Sequence, residues 1–448
     1  MKVPMPPPLW RDVLKATPAQ RLLEVVGRRI GAAPEGKYRH WDTLRHLEPP
    51  DTLTLEEWWL AIKMARHGAA VALPLRDKQG REFRFSPVDV MQQMLMQVDR
   101  NASGRSEASE QVTDPTTRDT YLLNGLIEEA ITSSQLEGAS TTREVAKEMI
   151  QRGRTPETHS ERMIYNNYQA LQFIRRLTGE PLTPAMVFEF HQILTEGTLE
   201  DPGAAGRFRG PDEEIRVTDE TGTVLHIPPD SAELEGRLRA MCDFANGRNG
   251  GTGFIHPVVR AIVLHFWLAY DHPFVDGNGR TARALFYWSM ASQGYWLCEF
   301  ISISRILKQA PGKYARSFLY TETDENDVTY FILSQLNVIL RAVDELFEYL
   351  NLRQRELRQT QRLIQSSRLL RDQLNFRQLG IIRHAMKHPH FVYTIEAHRN
   401  SHNVSYATAR SDLLKLAEAG LLEQKKGAKR LMLFVAPADL QQRIARAA

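Results

Sequence analysis

The chain has 448 residues, is 42% hydrophobic and 25% charged, and carries a formal net charge of +3. These fractions are ordinary for a soluble globular protein of two to four domains, and so small a charge does not by itself imply a nucleic-acid partner. Two cysteines, Cys242 and Cys298, exclude a disulfide framework and fit a reducing compartment. The opening residues MKVPMPPPLW lack the apolar core of a signal peptide, and apolar runs such as 261–270 are too short to span a bilayer. The expectation is a cytoplasmic protein with no membrane partner. There is no Walker A loop, no His-Glu-x-x-His and no paired Cys-x-x-Cys.

Residues 1–115 read as an N-terminal accessory region, with a helix over 53–66 and a hairpin over 71–85 turning at Asp77-Lys78-Gln79-Gly80. The polar stretch 101–117 reads as a loop or boundary. From Tyr121 to about Leu350 the periodicity is mainly helical. Ser133 and Glu137, four apart near the end of the first of these helices, share a face. Gly138 suits a helix C-terminus, where a carboxylate is poorly placed for the dipole unless a cation meets it. Between Gly206 and Pro229 two short alternating runs, Ile215-Arg216-Val217 and 224–227, flank a turn at Gly222 and predict a β-hairpin.

The strongest signal is His272-Pro273-Phe274-Val275-Asp276-Gly277-Asn278-Gly279-Arg280-Thr281-Ala282-Arg283. It lies between two apolar segments, 256–270 and 281–294, that read as buried helices. A polar loop held there is a site rather than a surface turn. Glycines permit unusual backbone geometry, and successive N–H groups opening a helix make an anion cradle. Arg280 and Arg283, three apart, share a face and can both reach that anion. Asp276 can hold a hard cation, and His272 can act as a general base. His256 and His265 stand nine and seven residues from their next histidine. Those spacings do not share one helical face, so both read as ordinary helix or capping residues rather than metal ligands.

At these positions the sequence resembles the Fic-domain family, whose pattern His-Pro-Phe-x-Asp/Glu-Gly-Asn-Gly-Arg-x-x-Arg is filled throughout. The segment Lys37-Tyr38-Arg39-His40-Trp41-Asp42 is similar to a stretch upstream of some Fic domains. The resemblance implies a helical core over 116–350 that moves AMP from ATP to a Ser, Thr or Tyr of a target protein, with Mg²⁺ (or Mn²⁺). His272 would be the catalytic base and Asp276 the metal ligand. Gly277, Asn278 and Gly279 would cradle the phosphates, which Arg280 and Arg283 would neutralise. The hairpin bearing Ile215, Arg216 and Val217 would be the flap that docks the target by strand addition. Ser133-x-x-x-Glu137-Gly138 resembles the family's inhibitory motif, in which the glutamate pairs with the second arginine, here Arg283. Tyr314 is a candidate contact to the base, with core packing as its competing role.

A connecting helix is predicted from about Val328 to Leu370, with Leu336, Val343, Leu350, Leu357 and Ile364 in a heptad seam that Gln354 and Gln361 interrupt. It packs on its own domain or makes a homodimer contact. The arginines between 353 and 371 read as a solvated face. Residues 373–448 hold 12 Lys and Arg against 5 Asp and Glu, a local excess of +7. Helices are expected over 376–386, from Tyr393 to His398, and over 406–419 with Ser405 as cap and Gly420 as stop. Strands are expected over 421–424 and 430–435. This order resembles a winged helix-turn-helix. On a DNA-binding reading Arg410, Lys415, Lys425, Lys426, Lys429 and Arg430 would meet phosphates. The fold class is thus mainly α: a helical Fic core with a flap, an accessory region (1–115), a connecting helix (351–372) and a winged helix (373–448). Two other functions stay open: removal of AMP at the same site, and nucleotide-sensing DNA-binding transcriptional regulation.

Overall fold

The computed structural model describes residues 2–50, 52–103, 115–219, 221–248, 253–366, 374–402, 404–426 and 432–446. Two apolar helices form the centre. Pro257–Asp271 is buried along nearly its whole length, and Asn278–Ser292 packs against it. Neither shows a solvent face because neighbours cover both sides. Pro115–Leu136 lies against His159–Arg176 and Ile303–Gln309. Gly125 of that helix lies so close to Phe300 that a Cβ would stand 2.7 Å from the Phe300 carbonyl oxygen. The chain separates into two compact units, Met1–Phe347 and Glu348–Ala448.

The accessory region is fixed to the first unit by buried charge. Thr54 and Glu57 form a capping box that starts the Leu55–Ala69 helix. That helix buries Lys63 and Arg66. Lys63 donates to Asp324 at 2.7 Å, and Arg66 donates to the Tyr330 hydroxyl at 2.7 Å. Tyr38, whose ring lies 3.6 Å under the Arg66 guanidinium, donates to Asp327 at 2.5 Å. Buried charges persist only where partners meet them, so these contacts fix the segments together. The hairpin appears as Val71–Arg76 paired with Glu82–Phe85. Of the expected loop over 101–117, residues 101–103 close the preceding helix and 115–117 open the next, and 104–114 lie outside the described residues.

The long helix runs Thr329–Ser366, with Leu336 and Val343 buried; residues 367–370 lie outside the described residues. In the second unit, helices Phe376–Lys387, Ile395–His402, Tyr406–Glu418 and Leu440–Arg446 accompany a three-stranded antiparallel sheet. Its strand order is Val392–Thr394, Met432–Val435, Glu423–Lys426. That sheet corrects one expectation. Tyr393 does not begin a helix but sits in a strand opposite Phe434, because Val392, Tyr393 and Thr394 are strand formers with a partner in register. The expected 421–424 strand is displaced to Glu423–Lys426, and the turn after it, with Lys429 and Arg430, lies outside the described residues. Asp412 is buried and accepts from Arg377 at 2.7 Å, Asn375 at 2.8 Å and His398 at 3.1 Å. Among the described residues no helix is long and apolar enough to cross a membrane.

Candidate active site around the His272–Arg283 loop

The loop starts where the central helix ends. His272 caps that helix in the left-handed region, at φ 44° and ψ 56°, a strained conformation for a non-glycine residue. Its amide donates to the Leu268 carbonyl at 2.9 Å, and its Nδ1 faces the Ala269 carbonyl at 3.3 Å. A carbonyl only accepts, so this contact places the proton on Nδ1 and leaves Nε2 as the free acceptor. Burial pulls the His272 pKa down to about 4, so the ring is neutral near pH 7.

Two residues outside the sequence pattern hold the loop. Arg209 donates from Nε to the His272 carbonyl at 2.9 Å and from Nη2 to the Pro229 carbonyl, and its amide meets the Pro273 carbonyl at 2.9 Å. His191 stacks on Phe274 with ring centroids 3.8 Å apart. Its Nε2 donates to the Asp276 carbonyl at 2.9 Å and its Nδ1 accepts from Gly206 at 2.9 Å. Burial draws its pKa to about 4, the neutral form those two bonds require. Neither residue stood out by spacing, since both come from segments distant in sequence.

The two glycines have different jobs. Gly277 adopts φ 77°, and a Cβ there would stand 2.7 Å from the Thr195 methyl. Gly279 is helical, contrary to the reading that both glycines supply unusual backbone. What it supplies is room, because a Cβ would lie 2.2 Å from Glu137 Oε1. Asn278 is buried and exchanges two bonds with the Phe274 backbone, at 3.0 and 2.8 Å. Its side chain therefore closes the loop and is not turned to a ligand.

The two arginines diverge, although three apart on one helix. Arg280 is 1% exposed and donates to the Leu194 carbonyl at 2.8 Å and to Asp276 at 3.2 Å. Arg283 is 2% exposed. It donates from Nε to the Ser133 hydroxyl at 2.8 Å, and from Nη2 to the Ser133 carbonyl at 3.0 Å and Glu137 at 2.8 Å. Glu137 stands just past the helix end at Leu136, so the cation expected to meet it is present. Its carboxylate occupies the first turn of the Asn278–Ser292 helix, where an anion is favoured.

A cavity of about 1210 Å³ opens beside this pair. Glu137, Arg283, Val217, Leu225 and Tyr314 line it, and Tyr38 brings a wall from the accessory region. Tyr314 packs as a core residue, its hydroxyl 2.8 Å from buried His265, and it also borders the cavity. His256 caps its helix, accepting from Val258, as an ordinary histidine does. The hairpin is present but shorter than expected. Val217 pairs with His226 and Thr218 with Val224, while Ile215 and Arg216 precede the strand. A register shift between the two pairs limits the ladder. His226 anchors it, with Nδ1 2.8 Å from Glu322 and Nε2 2.7 Å from the Tyr270 carbonyl.

Asp276, with its side chain 57% exposed, has one oxygen on Arg280. Among the described residues no three His, Cys, Asp or Glu side chains gather as a metal cluster. The exposed Asp276 carboxylate is the group here that would hold a hard cation such as Mg²⁺ or Mn²⁺.

Residues 181–290 match the sequence model of the Fic/DOC family, and the chain carries a Fic domain there. It is similar to a protein adenylyltransferase Fic of Nematostella vectensis, 28% identical over 161 residues, which are 34% of this chain and 34% of that protein. It is also similar to a protein adenylyltransferase Fic of Drosophila melanogaster, 39% identical over 70 residues, 16% of this chain and 14% of that one. The chain thus spans about a third or less of the length of these curated relatives. Its fold is similar to that of a Fic family protein from Desulfovibrio desulfuricans G20. The TM-score is 0.50 at 16% identity, covering 78% of this chain and 95% of that one.

Proposed function

We propose that this protein transfers AMP from ATP to a hydroxyl of a target protein and is restrained by its own Glu137. The observation that carries the reading is the Glu137 carboxylate seated on Arg283 against Gly279. That is where an anionic ligand of the loop would bind. In the reaction a target hydroxyl oxygen bonds the α-phosphorus, the bond to the bridging oxygen breaks, and pyrophosphate leaves. His272, neutral and with Nε2 free, takes the hydroxyl proton. Backbone N–H groups at 277–279 receive phosphate oxygens. Arg283 receives terminal phosphate charge once Glu137 withdraws, and Arg280 acts chiefly by orienting Asp276. Mg²⁺ or Mn²⁺ at Asp276 would neutralise phosphate charge. Most of the catalysis is placement and electrostatics. The Val217–His226 hairpin borders the cavity and would present its edge to an extended target segment.

The second unit is read as a winged helix whose third helix exposes Arg410 and Lys415 and whose wing exposes Lys425 and Lys426. Duplex DNA is the partner this charge suits. A homodimer contact through the long helix is the other role kept for this part of the chain. The test of the transfer reading is the identity of the moved group. Glu137→Gly incubated with a cell lysate should incorporate label from α-phosphate-labelled ATP and none from γ-phosphate-labelled ATP. Label from the γ position would make the protein a kinase-like enzyme and sink the reading. Arg283 donates to one oxygen of Glu137, and Glu137 also lines the cavity, which keeps AMP removal as a second reading. Loss of AMP release from a modified target in Glu137→Gly would favour it.

A further inference from the structure

A second cavity, of about 500 Å³, lies within the first unit between Trp10 and Arg11, the Leu55–Ala69 helix, the Val71–Phe85 hairpin and residues 325–327. Its lining is basic, and most of that charge is balanced in place. Lys63 bonds Asp324 at 2.7 Å and Glu325 at 3.4 Å. Arg66 lies 3.7 Å from Asp324, Arg76 pairs with Glu82 at 3.0 Å, and Arg81 pairs with Asp77 at 2.7 Å. The carboxylates at the cavity are thereby engaged, Asp327 accepting from Tyr38. Two guanidinium groups are left over. Arg84 donates to His67 Nδ1 at 3.2 Å, and Arg11 stands 5.4 Å from the centre of the Trp10 ring. Among the described residues neither has a carboxylate within ion-pair distance.

The third group at this wall is set to donate as well. Because Arg84 donates to Nδ1, the remaining His67 proton sits on Nε2. Burial first, then the charges of Arg84 and Arg11, hold the His67 pKa below its usual value, so the ring stays neutral near pH 7. Both arginines thus bear on one imidazole. The Trp10 ring lies 5.2 Å from that of His67 and offers a flat apolar border. Arg84 is half-buried, where a guanidinium without a carboxylate costs more than at the surface, and with the exposed Arg11 it sets two planar forks beside one hollow; guanidinium forks match phosphate oxygens in pairs.

We propose that this cavity is a second anion site, separate from the His272–Arg283 loop, which binds a phosphorylated small molecule through Arg11, Arg84 and His67. The proposal does not rest on AMP transfer. The shared chemistry is the phosphate group; a free polyphosphate and a nucleotide are its two sources.

The test uses the full chain and its tryptophan fluorescence, with the Trp10 component obtained by subtracting Trp10→Phe. Pyrophosphate and AMP are titrated separately at low salt. Trp10 borders this cavity and is not among the residues lining the cavity beside Glu137 and Arg283, so its component reports on this site rather than on the signature loop. A saturable change with either probe, weakened at least tenfold in Arg84→Gln and in Arg11→Gln, supports the site. Tighter pyrophosphate marks a polyphosphate ligand, and tighter AMP a nucleotide resting on the indole. Arg11 is exposed, so its variant folds whatever Arg84→Gln does. No saturable change with either probe, or equal affinity in wild type and Arg11→Gln, overturns the proposal.

Discussion

The signature loop and the surface of the C-terminal unit are both positively charged, but they hold the charge in opposite ways. Arg280 and Arg283 are buried, at 1% and 2% exposure, and meet protein acceptors. Arg410, Lys415, Lys425 and Lys426 are exposed, and the nearest carboxylate to Lys425 is Glu423 at 4.0 Å. An exposed cation is solvated and can stay unpaired at little cost. A buried guanidinium needs a counter-ion, and Glu137 supplies it for Arg283. Net charge therefore marks the second unit, whereas burial marks the first. The +7 excess of residues 373–448 attracts the eye, yet the residues set for chemistry barely alter the count.

The contrast breaks most sharply at His272. His272→Ala should lower single-turnover transfer by about 10²–10⁴-fold with melting and ATP binding nearly unchanged, since the ring adds a proton acceptor and little packing. Labelling at the wild-type rate would remove His272 from the mechanism. Next comes Asp412, a buried carboxylate of the second unit. Asp412→Ala leaves Arg377 and His398 without their acceptor and should cost that unit about 3–5 kcal/mol in thermal unfolding, with transfer retained. Burial raises the Asp412 pKa, but the bonds from Arg377, Asn375 and His398 outweigh it, so the folded value is lowered. Its stabilisation should be complete above the ordinary carboxylate range and fade only as acid drops below that range. A midpoint independent of pH there would contradict this.

Gly277→Ala should cost about 1–2 kcal/mol in denaturant unfolding, from its left-handed backbone and the nearby Thr195 methyl. The smallest effects belong to the exposed charges. Arg410→Ala and Lys425→Ala should each change stability by less than about 0.5 kcal/mol. On the DNA reading each should also flatten the slope of log affinity against log salt by about 0.9. An unchanged slope, or no binding of duplex DNA at low salt, leaves the unit as a protein-interaction module.

Much of the site was legible because its chemistry is contiguous. The residues from His272 to Arg283 announce one loop between two apolar helices, and the Ser133–Glu137 spacing met Arg283 as expected. What escaped was the support brought in from afar without a motif to announce it. Arg209 and His191 hold the loop from segments with no periodic or compositional mark, and Tyr38, within the 37–42 stretch noted in sequence, reaches the cavity through a buried network centred on Arg66. The role of Gly279 was hidden for another reason. A glycine needed for space looks the same in sequence as one needed for φ, and only the position of Glu137 tells them apart. Tyr393 was misplaced because a short apolar run before a helix reads as helix until its strand partner is known.

The pairing of Glu137 with Arg283 is the central claim, and one comparison tests it most directly. Self-labelling from α-phosphate-labelled ATP should be measured at saturating ATP for wild type, Glu137→Gly and the double variant Glu137→Gly/His272→Ala. A charge-assisted pair of this kind is worth about 1.5–3 kcal/mol, so releasing it should raise labelling by roughly 10–150-fold. The second substitution should erase that gain. Labelling in Glu137→Gly that equals or falls below wild type would contradict the claim, because Glu137 would then assist the chemistry it is held to restrain.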